Sequence, residues 1–123
     1  MPRLEFEGYR RPNGRVGVRN HVLIIPAVVC AGHVAQRIAD QLEGVVAVTH
    51  QHGCSQIGAD RDLTLHTLVG YASNPNVAAA LVVGLGCEAV PAQEVAQGVA
   101  SQGQRVETLI FQIDRCSLVS EMV

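Results

Sequence analysis

Apolar residues fall into two alternating patterns along this chain: continuous runs and helical spacing. The runs occupy residues 21–29, 45–50, 78–85 and 106–113. Each has strand length and lacks polar alternation, so each predicts a strand buried on both faces. The segments between them, 32–43, 60–72 and 91–102, carry helical periodicity. In the first, Val34, Ile38 and Leu42 stand at i, i+4 and i+8. Leu65, Leu68, Val69 and Ala72 share one face of the second, and Val95 and Val99 one face of the third. Gly44 and Gly103 terminate the first and third helices, Pro91 opens the third, and Ser73-Asn74-Pro75-Asn76 breaks the second. Pro26 marks an irregularity or an edge near the end of the first strand. With right-handed crossovers the result is an α/β fold, a three-layer Rossmann-like βαβαβαβ domain on a mainly parallel four-stranded sheet. The expected strand order is 2-1-3-4.

Residues 1–20 depart from this pattern, with glycines, prolines and Arg10, Arg11, Arg15 and Arg19 close together. Pro12-Asn13-Gly14 is a turn signal. The segment reads as an Arg/Gly-rich arm with a short strand or hairpin, lying across the main sheet. The α/β domain then covers 21–116, and 117–123 is a divergent or truncated tail.

A chain of 123 residues is one domain. Its 48% hydrophobic content includes only 3% aromatic residues, so aliphatic side chains must fill the core. A net charge of −2 gives no global attraction to nucleic acid or to a membrane surface. No apolar run approaches the roughly 18–20 residues that span a bilayer, and no cleavable leader opens the chain. A cytoplasmic protein with reduced thiols is the expectation.

Chemistry-bearing residues collect at the strand ends. Cys30, Cys54, Cys87 and Cys116 each follow one run, which in a parallel sheet puts them at the carboxyl edge, where open α/β sheets bind ligands. They lack the paired C-x-x-C spacing of a structural zinc site. Cys30 and Cys116 read as buried structural thiols, His21 and His66 as structural or exposed. The densest group is Thr49-His-Gln-His-Gly-Cys54, where His50 and His52 share a face if the strand continues that far. With Cys87 and Glu88 at the next strand end, these offer nitrogen, sulfur and oxygen donors for a divalent transition metal. Gly84-Leu-Gly-Cys-Glu-Ala89 also fits G-x-G-x-x-A, the dinucleotide fingerprint. It stands at the third strand rather than the first, and the next acidic strand-end residue, Asp114, is too distant. A glycine turn allowing tight strand–helix packing accounts for it on its own and is compatible with any ligand. Every one of the nine basic residues is arginine, whose planar fork pairs with carboxylates. The arm is therefore either a solvated face or a holder for an anionic substrate.

These motifs in this order resemble the altronate/galactarate dehydratase family, which includes the large subunit of sulfolactate sulfo-lyase. The matching stretches are Gly8-Tyr-Arg-Arg-Pro-Asn-Gly-Arg-Val-Gly-Val-Arg-Asn20, Val45-Val-Ala-Val-Thr-His50 with Gly53-Cys54, and Asn76 through Glu88. The resemblance places the chain as the first α/β domain of the dehydratase core. It implies a lyase removing water, or sulfite in one branch, from a sugar acid or small hydroxy acid, with Fe²⁺ or Mn²⁺. It makes His50, Cys54, Cys87 and Glu88 the catalytic candidates, His50, His52, Cys54 and Cys87 the metal candidates, and Arg15, Arg19 and Asn20 the carboxylate partners. It also implies a further carboxyl-terminal domain or partner subunit, or self-association. Where relatives usually carry Gly-Gly-Thr, this chain reads Asp114-Arg-Cys-Ser-Leu118, so Cys116 inherits no family role. A nucleotide- or anion-binding module without catalysis is the alternative.

Overall fold

A computed structural model describes residues 3–53, 57–86 and 90–110. An antiparallel pair of two-residue strands comes first, β1 (Tyr9–Arg10) and β2 (Val16–Gly17). The α/β core follows as β3 (His21–Pro26), α1 (Gly32–Asp40), β4 (Val45–Ala47), α2 (Gly58–Ala72), β5 (Val77–Gly84), α3 (Ala92–Ser101) and β6 (Val106–Ile110). The four-stranded sheet has the order β4-β3-β5-β6, and every pair in it is parallel. This is the 2-1-3-4 arrangement that the run-and-helix pattern predicts.

The central strands are buried on both faces, which is why their sequences read as unbroken apolar runs. Leu23, Ile25, Ala80 and Val82 pack beneath α2 and α3 with Leu68, Val95 and Val99. Ile24, Val83 and Leu85 face the opposite layer, under α1. α1 differs from expectation in the residues it buries. Ala31, Ala35 and Ala39 meet the sheet, Ile38 is only partly buried, and Leu42 is 57% exposed beyond the helix end. Small residues set the core face of this helix; the larger apolar ones flank it.

The first two strands are shorter than their apolar runs, and Pro26 is the reason. In the β3–β4 ladder the Val22 amide donates to the Gly44 carbonyl, and Ile24 accepts from the Val48 amide at 3.0 Å. Two residues on, the same side of β3 presents Pro26, which has no N–H to continue the ladder. Regular pairing with β4 therefore ends at Ala47, while β3 still pairs with β5 through Pro26 and Val83. The remaining predicted positions bend at Ala27 and Val28 and enter a 3₁₀ turn, Val29–Ala31. The fourth predicted strand is seen as Val106–Ile110; its positions 111–113, Cys116 and the tail 117–123 lie outside the described residues.

The arm forms the expected hairpin, yet it lies along one edge of the sheet rather than across it. Arg11 is the anchor, and at 9% exposure it is no solvated cation. Its Nε donates to the Pro75 carbonyl at 2.7 Å, and its two terminal nitrogens donate to Asn20 Oδ1 and the Arg19 carbonyl. Arg15 donates to the Ser73 carbonyl, and Asn13 to the Gln102 carbonyl. Asn76 Oδ1 accepts the Val18 and Arg19 amides. The partners outside the arm, Ser73, Pro75, Asn76 and Gln102, belong to the turns that precede β5 and β6, so the arm clasps the amino-terminal edge. No described helix is long and apolar enough to cross a membrane.

Candidate functional site

Ligands of open α/β sheets bind at the carboxyl edge, where the connections diverge to left and right. From β3 the chain passes through α1 to β4 on one side; from β5 it passes through α3 to β6 on the other. The divergence therefore lies beyond the ends of β3 and β5, and the β4–α2 loop borders it.

That loop is stitched to the end of β3 although it forms no strand there. The Val29 amide donates to the His52 carbonyl at 2.8 Å. His50 Nε2 lies 2.7 Å from the Pro26 carbonyl, and His50 Nδ1 accepts the His52 amide at 3.1 Å. A nitrogen that accepts an N–H carries no proton, so Nε2 holds the proton and donates to Pro26. Gly53 is buried against Ala27 and Val28 with φ +93°, and a Cβ there would overlap the Ala27 carbonyl. Only glycine lets the loop approach this closely in that conformation.

An open cavity of about 580 Å³ lies between this loop and α2. One wall carries Val48, Thr49, His50 and His52; the other carries Asp60, Leu63, Thr64, Thr67, Leu68 and Tyr71. The second wall exists because α2 carries apolar residues on two faces. Leu68 and Ala72 enter the core, while Leu63 (66% exposed) and Tyr71 (53% exposed) face away from it. The rings of His50 and His52 stack with centroids 6.1 Å apart and planes 12° from parallel. Among the described residues, no hydrogen bond engages the ring nitrogens of His52. At the base of the neighbouring helices, Arg61 of α2 pairs with Glu94 of α3, and Glu94 raises the Arg61 pKa above its ordinary value.

The structure thus brings His50 and His52 together, by the loop rather than by a continued strand. Cys54 directly follows the buried Gly53 in sequence, and Cys87 and Glu88 follow β5; all three lie outside the described residues. Cys30, expected to be buried, is exposed, because it sits in the 3₁₀ turn that replaces the end of the first run. Among the described residues, no group of three or more His, Cys, Asp and Glu side chains could hold a metal.

Arg15, Arg19 and Asn20 are not at this cavity. They lie at the amino-terminal edge, and β5, eight residues long, separates the two edges. At about 3.3 Å per residue that strand spans roughly 23 Å, too far for one small acid to touch both. Asn20 has a structural partner in Arg11, and the described cavity wall contains no arginine. Sequence reading passed over Thr64, Thr67 and Tyr71, since one helical turn of spacing put them on neither the core face nor a recognised motif.

Comparison with known proteins adds the family. Residues 8–122 match the family described as D-galactarate dehydratase/altronate hydrolase, second domain. The chain is 43% identical over 102 residues to (2R)-sulfolactate sulfo-lyase subunit beta of Chromohalobacter salexigens, covering 83% of this chain and 26% of that protein. It is 38% identical to altronate dehydratase of Bacillus subtilis and 42% identical to that of Escherichia coli, each match covering 68% of this chain and 19% of the relative. The chain therefore spans about a quarter or less of the length of these relatives. No solved structure matches. With the match running from the arm into the tail, the chain belongs to the D-galactarate dehydratase/altronate hydrolase second-domain family.

Proposed function

We propose that the chain is a domain of a metal-dependent sugar-acid dehydratase, a hydro-lyase acting on altronate, galactarate or a related hydroxy acid. It would work with a further carboxyl-terminal domain or partner subunit. Membership of the family, with lyases at 38–43% identity, carries this reading. The open cavity beside His52 at the carboxyl edge supports locating the site there.

In such a reaction a base removes the proton next to the carboxylate and the electron pair moves toward the carboxylate. That pair then returns to form the C=C bond as the β C–O bond breaks, and an acid protonates the departing hydroxyl, which leaves as water. Fe²⁺ or Mn²⁺, when bound, supplies Lewis-acid stabilisation of the charge that develops. Of the described residues, His52 suits such an ion, because its ring faces the cavity and its nitrogens are unengaged. Cys54 and Cys87 are the donors proposed beside it. His50 does not suit it as placed, since both of its nitrogens already make hydrogen bonds. The described cavity wall is rich in hydroxyls from Thr49, Thr64, Thr67 and Tyr71, which suit a polyhydroxylated ligand. The described cavity wall offers no arginine for the carboxylate, and the general base is not assigned among the described residues.

The test is turnover of altronate, galactarate and (2R)-sulfolactate with Fe²⁺ or Mn²⁺ under anaerobic, reducing conditions, with the chain alone and with a dehydratase partner domain. Metal-dependent loss of substrate that needs the partner is expected. Nucleotide binding without turnover in either arrangement would favour a non-catalytic module instead.

A further inference from the structure

We infer that His50 is a positioning residue that replaces a missing rung of the β3–β4 ladder, and that it is not a metal ligand. The inference rests on the dehydratase reading only in naming the metal; the hydrogen-bond geometry stands without it.

In a parallel ladder, the carbonyl two residues after Ile24 accepts the amide two residues after Val48. Those residues are Pro26 and His50. Pro26 supplies the carbonyl but breaks the reciprocal bond, because it has no N–H for the Val48 carbonyl. The loop departs from strand geometry at this point, and the ring of His50 takes over the role of its own backbone amide, with Nε2–H on the Pro26 carbonyl at 2.7 Å. The opposite nitrogen then accepts the His52 amide, and the His52 carbonyl accepts the Val29 amide. One imidazole thus joins the end of β3 to the loop and holds His52 at the cavity.

A bond from Nε2–H to a backbone carbonyl is also what orients a histidine that ligates metal through Nδ1. The occupant of Nδ1 separates the two roles. Here it is the His52 amide, which lies where a metal would have to sit, so ligation by His50 would require release of the bond that positions His52.

Side-chain ¹⁵N NMR of the full chain reads this directly, with Zn²⁺ as a diamagnetic probe and His50→Gln and His50→Ala as variants. An amide can donate with its NH₂ and accept with its oxygen, so glutamine can keep both bonds while being a poor ligand for these ions. The expected result is a His50 ring protonated at Nε2, with both nitrogens unmoved by Zn²⁺ while a His52 nitrogen shifts. Zn²⁺ affinity should stay within about threefold in His50→Gln and fall by about tenfold or more in His50→Ala. A His50 Nδ1 resonance that moves on Zn²⁺ binding, or equal losses in the two variants, would overturn the inference. If Zn²⁺ does not bind at all, the metal reading fails. The tautomer then still decides: protonation at Nδ1 would overturn the positioning role, and protonation at Nε2, with amide exchange at His52 faster in His50→Ala than in His50→Gln, would support it.

Discussion

At the level of single residues, Arg11 and Gly53 secure opposite edges of the sheet. Arg11 anchors the arm with three donated hydrogen bonds and lies 5.5 Å from the centroid of the Tyr9 ring. Lysine keeps the charge but not the fork. Arg11→Lys should therefore lower stability by about 1.5–3 kcal/mol, the range for hydrogen bonds to charged groups, read from urea unfolding midpoints. A change below about 0.5 kcal/mol would mean the arm is not held this way. Gly53 acts at the other edge. Gly53→Ala combines a left-handed φ with overlap on Ala27, and should cost roughly 1–3 kcal/mol. Amide exchange at Val29 and His52 should accelerate with it. Unchanged exchange there would show that the loop is not stitched to β3.

Elements made of core were legible, and elements made of exceptions were not. The parallel strands, the three helices and the strand order followed from apolar runs alternating with helical spacing, because the central strands β3 and β5 are covered on both faces. At the sheet margins β4 and β6 are partly to largely exposed, contrary to the sequence expectation. Helix α1 misled through its larger residues, since periodicity weighs Val34, Ile38 and Leu42 above the alanines that touch the sheet. Strand ends misled through Pro26, whose effect falls on the neighbouring strand as well as its own. The candidate loop was legible as a cluster of donors; the division of labour between His50 and His52 was not, because it depends on which ring nitrogen meets which backbone group. The arm's location was equally hidden, for nothing local to it names Ser73, Pro75 or Gln102 as partners. Gln104 shows how the edge it occupies is built: buried, it donates to the carbonyls of Ala72 and Val77, tying the end of α2 to the start of β5. Gln104→Ala leaves those two carbonyls unsatisfied and should destabilise by about 1–3 kcal/mol in thermal or urea unfolding. A neutral effect would show that water replaces the amide there.

On the scale of the whole molecule the two edges of one sheet are specialised. The amino-terminal edge is closed by the arm, and the carboxyl edge holds the open cavity, the stacked histidines and the segments that lead to Cys54, Cys87 and Glu88. The family match covers both edges, while the relatives extend well beyond this chain. Under the proposed function, the carboxyl edge carries a metal-dependent lyase site. Anaerobic titration of Mn²⁺, followed by electron paramagnetic resonance, tests it on the wild type, His52→Ala, Cys54→Ala and the arm control Arg19→Lys. Affinity should fall at least about tenfold in the His52 and Cys54 variants, equivalent to about 1.4 kcal/mol, and stay within twofold in Arg19→Lys. Equal affinity in all four proteins would contradict the account.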